Sequence, residues 1–417
     1  MWIYLLRKLG YGFLVLWGVV TLVFFLFNLT PGDPVRNLVG ENASTEVVEN
    51  MRRKFDLDLP IFQRYVLYLN DLSPVGLYSS NSQARNYFDE SEYAGYRLSF
   101  SDSGNSLYFK SPYLKRSFLT DKSVSGILSE VMPGTFILAF VSILLALIAG
   151  LLLGVVSALK KDGFYDRLIL FLSALGMAGP SFFVAMLVAW LGAVIWREEI
   201  ELSLYFIVTG AVVVASWMVY HRVKKSAVWL IPCVVAFVGW TFAGTSWGHW
   251  LNAGVTLPGT GLNMTGSLYG VDVWQGEFLD LKNLILPVIT LMVRPLSVIV
   301  QLTRSSLLEV MQQDYIRTAR AKGLSEREVI FRHALRNALN PVITAVSGWF
   351  ASLLAGAIFV EFVFGWKGLG QQMFTAIENQ DLPVVMGGVI VIASAFVLIN
   401  LVVDILYGWI DPRVRVA

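Results

Sequence analysis

Charge is scarce in this sequence, and so are cysteine and histidine. Of 417 residues, 15% are Asp, Glu, Lys or Arg, against about 25% in an ordinary soluble domain, so a soluble class is disfavoured before any motif is read. The one cysteine, Cys233, cannot form an intrachain disulfide and lies in an apolar run, where it acts as a small hydrophobe. His221, His249 and His333 are far apart and lack ligand-like spacing, so no metal site is expected. The net charge of +2 is too small to indicate nucleic acid. No Ser/His/Asp or paired-carboxylate arrangement stands out, which argues against an enzyme, and the phosphate-binding pattern Gly-x-x-x-x-Gly-Lys-Ser/Thr is missing.

What the sequence has in quantity is apolar length: 56% of residues are hydrophobic. Crossing about 30 Å of hydrocarbon takes about 20 apolar residues as a helix. Runs of that kind lie near 9–29, 135–159, 168–196, 202–220, 227–246, 284–303, 341–360 and 384–408. With no alternating strand pattern, helices are expected rather than a barrel. The first run lacks a small-x-small cleavage site, since Thr30-Pro31-Gly32-Asp33-Pro34 follows directly, and it reads as an uncleaved span. Orientation follows from the Lys and Arg near span ends. With the N-terminus inside, the inner pieces hold Arg7 and Lys8; Lys160, Lys161 and Arg167; Arg222, Lys224 and Lys225; seven basic residues between Arg304 and Arg336; and Arg413 and Arg415. The short outer loops hold only Arg197, Lys282 and Lys367, so both termini are placed in the cytoplasm.

The expectation is an all-α integral membrane protein, a helical bundle of about eight spans with an inserted extracytoplasmic domain. Its divisions are a first span (1–30), the inserted domain (31–133), spans two and three (134–200), a two-span hairpin (201–247), an outer loop (248–283) and a final helical region (284–417) that carries a cytoplasmic loop (304–340). The hairpin has a basic turn, Tyr220-His221-Arg222-Val223-Lys224-Lys225; a pair of interfacial or re-entrant helices is the alternative there. In the inserted domain, 46–72 has helical spacing broken at Pro60, and 79–105 is rich in Ser, Asn, Tyr and Gly, as turns and short strands are.

The most informative stretch is 304–341. Leu308, Met311, Tyr315 and Ala319 recur at spacings of 3, 4 and 4, an apolar stripe on one helical face. Gly323 then breaks the helix with a residue suited to positive φ. Ser325-Glu326-Arg327-Glu328 is a capping-box pattern that starts a second helix. An amphipathic surface hairpin would explain the helices, but not the Ala-x-x-x-Gly corner between two spans.

This loop resembles the coupling loop of ATP-binding-cassette importer permeases. Arg317-Thr318-Ala319 stands where the family has Glu-Ala-Ala, and Gly323 matches. The run Asp314-Tyr315, Arg317 to Leu324 and Arg332-His333-Ala334-Leu335-Arg336-Asn337-Ala338 is similar to the dipeptide, oligopeptide and nickel branch, as are Gly32-Asp33-Pro34, Glu361 with Gly368-Leu369-Gly370, and Asp411-Pro412-Arg413. The usual member has six spans, so the hairpin is an addition. The resemblance implies a permease in the bacterial cytoplasmic (inner) membrane that imports di- or oligopeptides by alternating access. It implies two ATPase subunits as partners, which bind the ATP and Mg, together with a second homologous permease and an extracytoplasmic solute-binding protein. No cofactor is implied in this chain. The coupling residues carried over are Asp314, Tyr315, Arg317, Thr318, Ala319, Arg320, Ala321, Lys322, Gly323, Leu324, Ser325 and Glu328. Nickel chelates or another small solute are the alternative cargo, and a passive channel or membrane scaffold is the alternative class.

Three further residues stand out as candidates for a translocation pathway: Arg294, Pro180 and Glu361. Arg294, followed by Pro295, interrupts a span, and a charge at that depth must face protein or water. It either lines the route and meets a peptide carboxylate or pairs with an acid on a neighbouring helix. Gly179-Pro180-Ser181 permits a kink. Residues 361–370 have the glycine content of a re-entrant outer gate, with Trp366 expected at the membrane interface.

Overall fold

A backbone that meets lipid must satisfy its own hydrogen bonds, and the long apolar runs accordingly become long helices. The computed structural model describes residues 2–29, 34–39, 43–79, 81, 84–89, 93, 95–100, 105–203, 212–213, 254–272 and 276–410. Its contacts divide the chain into two units, Met1–Ala185 with Thr265–Ala417, and Met186–Met264.

The larger unit begins with α1 (Trp2–Leu29), followed by α2 (Pro34–Val39), α3 (Thr45–Lys54) and α4 (Ile61–Leu72). Pro60 stands at the N-cap of α4, so the expected break falls where proline forbids helix continuation. Strands β1 (Val75–Ser79), β2 (Gly95–Phe100) and β3 (Asn105–Lys110) form an antiparallel sheet in the order β1-β3-β2. The inserted domain is therefore mixed, and the all-α expectation holds only for the spanning part. Tyr65 and Tyr68 of α4 pack on Phe24 of α1, which fastens this domain to the first span.

After the insertion come α5 (Val124–Leu159), α6 (Phe164–Ala178) and α7 (Ser181–Ala189). Gly179-Pro180 breaks the chain between α6 and α7, and the helices there bend by 109°. The smaller unit contains a widened helical turn (Trp190–Ile195) and the hairpin β4 (Ile200–Ser203) and β5 (Gly254–Leu257). The Trp196 indole donates to the Pro258 carbonyl at 3.1 Å, and Thr260 donates to the Gly192 carbonyl at 2.6 Å. The expected spans 202–220 and 227–246 lie outside the described residues, apart from 202–203 and 212–213.

The larger unit resumes with the hairpin β6 (Tyr269–Asp272) and β7 (Gly276–Leu279), then α8 (Ile285–Val310), α9 (Asp314–Ala321), α10 (Glu326–Glu328), a widened turn (Val329–Ala334) and α11 (Leu335–Ala338). It ends with α12 (Asn340–Gly356), α13 (Ile358–Val363), α14 (Leu369–Glu378) and α15 (Leu382–Ile410).

Among the described residues, four helices are long and apolar enough to cross a membrane: Arg7–Asn28, Val124–Leu159, Leu281–Val310 and Leu382–Val403. The bent pair Phe164–Ala178 and Ser181–Ile195 makes five if counted as one span. The run at 341–360 differs from expectation: it is the shorter apolar helix Asn340–Leu354, and the chain breaks at Ala357 before α13.

Close approach of backbones sets the centre of this unit. A Cβ at Gly150 of α5 would fall 2.6 Å from Ile299 Cγ2 of α8, and one at Gly154 would fall 2.6 Å from Thr303 Cβ. Small residues at such crossings let two helices touch along their length, which is how spans hold together without help from water. Ala146, Ile299 and Val342 form a buried cluster there that also brings in α12.

Candidate functional site: a helical knob and a mid-span arginine

The loop between α8 and α12 folds as two short helical arms around a glycine corner. Gly323 has φ +80°, where an L side chain is strained, so the residue expected to break the helix does so in the left-handed conformation. Ser325 caps the next arm: its hydroxyl accepts from the Glu328 N–H, and the Glu328 carboxylate accepts from the Ser325 N–H at 3.1 Å. Those hydrogen bonds, from the Ser325 side chain first and its backbone second, hold the Glu328 carboxyl below its ordinary value.

The knob rests on an apolar seat. Ile316 and Ala319 of α9 are buried with Val155 and Ala158 of α5, Leu307 of α8, and Val329, Ala334 and Ala338 beyond the corner. The stripe read from the sequence is therefore displaced. Leu308 and Met311 pack against this cluster, but Tyr315 is exposed and Ile316 takes the inward position. The cause is the turn at 311–313, which ends α8 and resets the helical phase before α9 begins. Tyr315 instead accepts at its hydroxyl from the Asn337 amide at 2.7 Å, or donates to it in the flipped rotamer, tying the two arms together.

Most of the remaining knob side chains face outward. Asp314, Arg317, Thr318, Arg320, Ala321, Lys322, Gly323, Leu324, Ser325 and Glu328 are all exposed. Arg320 forms a two-pronged pair with Glu326, at 2.8 and 3.3 Å, and Arg317 pairs with Asp314 at 3.3 Å.

Beneath the knob lies a residue that the motif reading passed over. Asp166, in the first turn of α6, is buried and accepts from Arg304 Nε and Nη2, both at 2.7 Å. It also accepts from the Ser157 hydroxyl and from the Asp162 N–H. Arg304 was visible only as one of a series of inner basic residues. The available signal for Asp166 was weak: it is one of two acids, with Asp162, beside Lys160, Lys161 and Arg167.

Arg294 lies near the middle of α8. Its Nη2 donates to the Gly179 carbonyl at 3.0 Å, the carbonyl just before Pro180 at the bend. Its Nε is buried and without a hydrogen-bond partner among the described residues. Arg294 helps line a cavity of about 100 Å³ whose wall is mostly apolar, with Ser181, Thr290 and Ser352 as its hydroxyl-bearing residues. Pro180 itself is exposed beside the break. Thus Arg294 and the Gly179-Pro180 bend come together, whereas Glu361 is elsewhere.

Glu361 is fully buried on α13. It accepts from the Thr135 hydroxyl of α5 at 2.6 Å and from the Gln371 N–H at 3.0 Å, at the start of α14. Thr135 in turn accepts from the Leu369 N–H. A carboxylate at a helix start meets donors that the helix cannot satisfy itself. Trp366 is also fully buried, so its ring packs against protein and does not face lipid. The chain turns at Gly365, φ +58°, and the indole enters a slot against Gly134, where a Cβ would lie 3.3 Å from its nitrogen.

A polytopic helical bundle with a capped, glycine-cornered knob on one side has the build of a transport subunit that is worked by another protein. Comparison with known proteins agrees. Residues 150–416 match the family described as binding-protein-dependent transport system inner membrane component, and residues 1–85 match the N-terminal region of such membrane components. The chain belongs to this family, whose members are transmembrane subunits without a catalytic domain or cofactor of their own. It is 31% identical to the dipeptide transport system permease protein DppB of Alkalihalophilus pseudofirmus, over 99% of each chain. It is 32% identical to the di/tripeptide transport system permease protein DppB of Pseudomonas aeruginosa, over 99% of this chain and 98% of that one. The dipeptide transport system permease protein DppB of Escherichia coli is also 32% identical, with the same coverage.

Proposed function

We propose that this chain is the membrane-spanning half of a peptide importer, set in the bacterial cytoplasmic membrane with both termini inside. In this reading it has about eight spans, including α12 and the hairpin 201–247, and it works by alternating access beside a second homologous permease. Two ATPase subunits bind ATP and Mg and grip the knob at Asp314, Tyr315, Arg317 to Ser325 and Glu328. An extracytoplasmic binding protein delivers the cargo. Arg294 and Pro180 line the route, and Glu361 braces the segment that closes its outer end.

The observation that carries this reading is the contrast between the buried seat of the knob, at Ile316 and Ala319, and its exposed polar tip around a positive-φ glycine. A lever needs a rigid root and an accessible grip, and a passive channel or scaffold has use for neither. Peptide as cargo is supported by the names of the relatives above.

The test is co-expression of the chain with the second permease and the ATPases, followed by peptide uptake in proteoliposomes. The wild type should co-purify with the ATPases and import peptide on ATP. Gly323→Val, which puts a branched side chain at φ +80°, should abolish uptake while the spans still insert. Uptake equal to wild type in Gly323→Val, or a chain that binds no ATPase, sinks the proposal.

A further inference from the structure

Arg294 raises a question of electrostatic balance. A guanidinium at mid-span carries five donors and a full charge, and either a carboxylate or water must answer it. Among the described residues Arg294 forms no ion pair, and its one hydrogen bond goes to the Gly179 carbonyl. That bond uses Nη2 and leaves Nε, which is buried and unpartnered. One of the two readings open at the sequence level, a structural pair with a neighbouring acid, thus lacks its acid within the described residues.

The surroundings set a few polar groups in an apolar wall, as small-molecule sites do. The cavity of about 100 Å³ beside Arg294 is walled mostly by Val184, Leu291, Val293, Pro295, Trp349 and Leu353, with the hydroxyls of Ser181, Thr290 and Ser352 among them. The Thr290 hydroxyl is already spent on the Leu286 carbonyl at 2.9 Å, so among the described residues Ser181 and Ser352 are the hydroxyls left to donate. Water takes about 30 Å³ each in the liquid, so the space suits the end group of a small molecule rather than a whole peptide.

Polar or small residues also recur along the two helices that carry Arg294 and Ser352. Arg294, Gln301 and Ser305 are spaced at i, i+7 and i+11 on α8, one face of a helix, and all three keep some exposure. On α12, Thr344, Gly348 and Ser352 recur at intervals of four, and each is exposed. Both polar stripes lie on helices whose other faces pack into the cluster of Ile299 and Val342.

We propose that Arg294, with Ser352 and Ser181, forms a carboxylate subsite within the permease that receives the free C-terminal carboxylate of the peptide in transit. The claim rests on the importer reading above and adds to it that selection by end group occurs in this chain, not solely in the binding protein. A guanidinium that spends one donor on Gly179 keeps others for a carboxylate, and a charge-assisted hydrogen bond is the strong kind.

The experiment compares ATP-dependent uptake of alanyl-alanine and its C-terminal amide by the complete importer, including its binding protein, in proteoliposomes. Any preference of the binding protein is the same for every permease variant, so it cancels when the acid-to-amide ratio is compared between variants. Arg294→Gln should lower that ratio about tenfold or more, the factor expected for losing a charge-assisted hydrogen bond. Arg294→Lys should give an intermediate ratio, because it keeps the charge without the fork. Ser352→Asp places a competing carboxylate in the cavity and should depress the ratio as Arg294→Gln does. It keeps the bond to Gly179, so it decides the matter even where Arg294→Gln does not assemble. Equal loss of acid and amide uptake in the Arg294 variants identifies a clamp on the Gly179 bend and overturns the subsite. An unchanged ratio in Ser352→Asp overturns it as well. Failure of the wild type to import either peptide defeats the importer reading itself, and the subsite with it.

Discussion

Two arginine–carboxylate pairs bracket the knob, one below its seat and one at its tip, and their chemistry is the same while their surroundings are opposite. Arg304 and Asp166 meet with side chains 20% and 2% exposed; Arg320 and Glu326 meet with theirs 41% and 63% exposed. Both are two-pronged. The inner pair also holds Ser157 and the Asp162 N–H, so Asp166 joins the end of α5, the start of α6 and α8 in one network. The outer pair joins only the two arms of the knob. A buried pair resists separation because each partner would be left desolvated and alone, whereas an exposed pair can exchange partners with water or another protein at little cost. The root is therefore fixed and the tip is available, and burial alone makes that difference.

The sharpest way to break this contrast is at the root. Asp166→Ala strands the Arg304 guanidinium and should cost about 3–5 kcal/mol of stability, read as a fall in thermal unfolding temperature in detergent. A loss below about 1 kcal/mol would place the inner pair in the same class as the outer one. The capping serine is intermediate. Ser325→Ala should cost about 1 kcal/mol and act locally, speeding amide exchange just beyond the corner and leaving the spans unaltered. Arg320→Ala should change stability by less than about 1 kcal/mol, yet reduce uptake per ATP if the tip is gripped as proposed; unchanged uptake would remove Arg320 from the grip. The smallest effect is a titration. Glu328 has its carboxyl lowered in the folded knob, so its contribution is complete above glutamate's ordinary 4.5 and is lost as pH falls through the lowered value. Protection of the Ser325 amide, taken as its exchange rate relative to the unstructured chain at each pH, should fall only in that acid window, and a fall near neutrality would speak against the assignment.

How much of this could be read from the sequence depended on distance along the chain. Gly323, and Ser325 with Glu328, are local signals: a backbone conformation and a three-residue hydrogen bond announce themselves in the residue types. The bend at Gly179-Pro180 and the break at Pro60 were legible for the same reason. The apolar stripe was misplaced by one residue because Tyr315 and Ile316 can each continue the periodicity, and only the turn at 311–313 decides between them. Asp166 was invisible in its role because its partner lies 138 residues away, and no local pattern marks such a pairing. Trp366 was misread for a related reason: an aromatic near a span end fits the interface by composition, but the slot against Gly134 is made by a helix far earlier in the chain. The membrane class was legible from composition, whereas the short helix at 340–356 shows that an apolar run does not fix where a span ends.

The glycine contacts of α5 have a mechanical consequence. With 36 residues at about 1.5 Å each, α5 is a rod of about 54 Å, well beyond the hydrocarbon thickness. Near its C-terminal end Val155 and Ala158 help form the seat of the knob; about a third of the way along, Thr135 holds Glu361 and Gly134 adjoins Trp366. Gly150 and Gly154, beside the seat, bring α5 so close to α8 that no Cβ fits between them. One rod thus carries both the seat of the knob and the partner of Glu361. If the knob is pushed as proposed, a tilt of that rod reaches Thr135 and Gly134 without a relay of side-chain rearrangements.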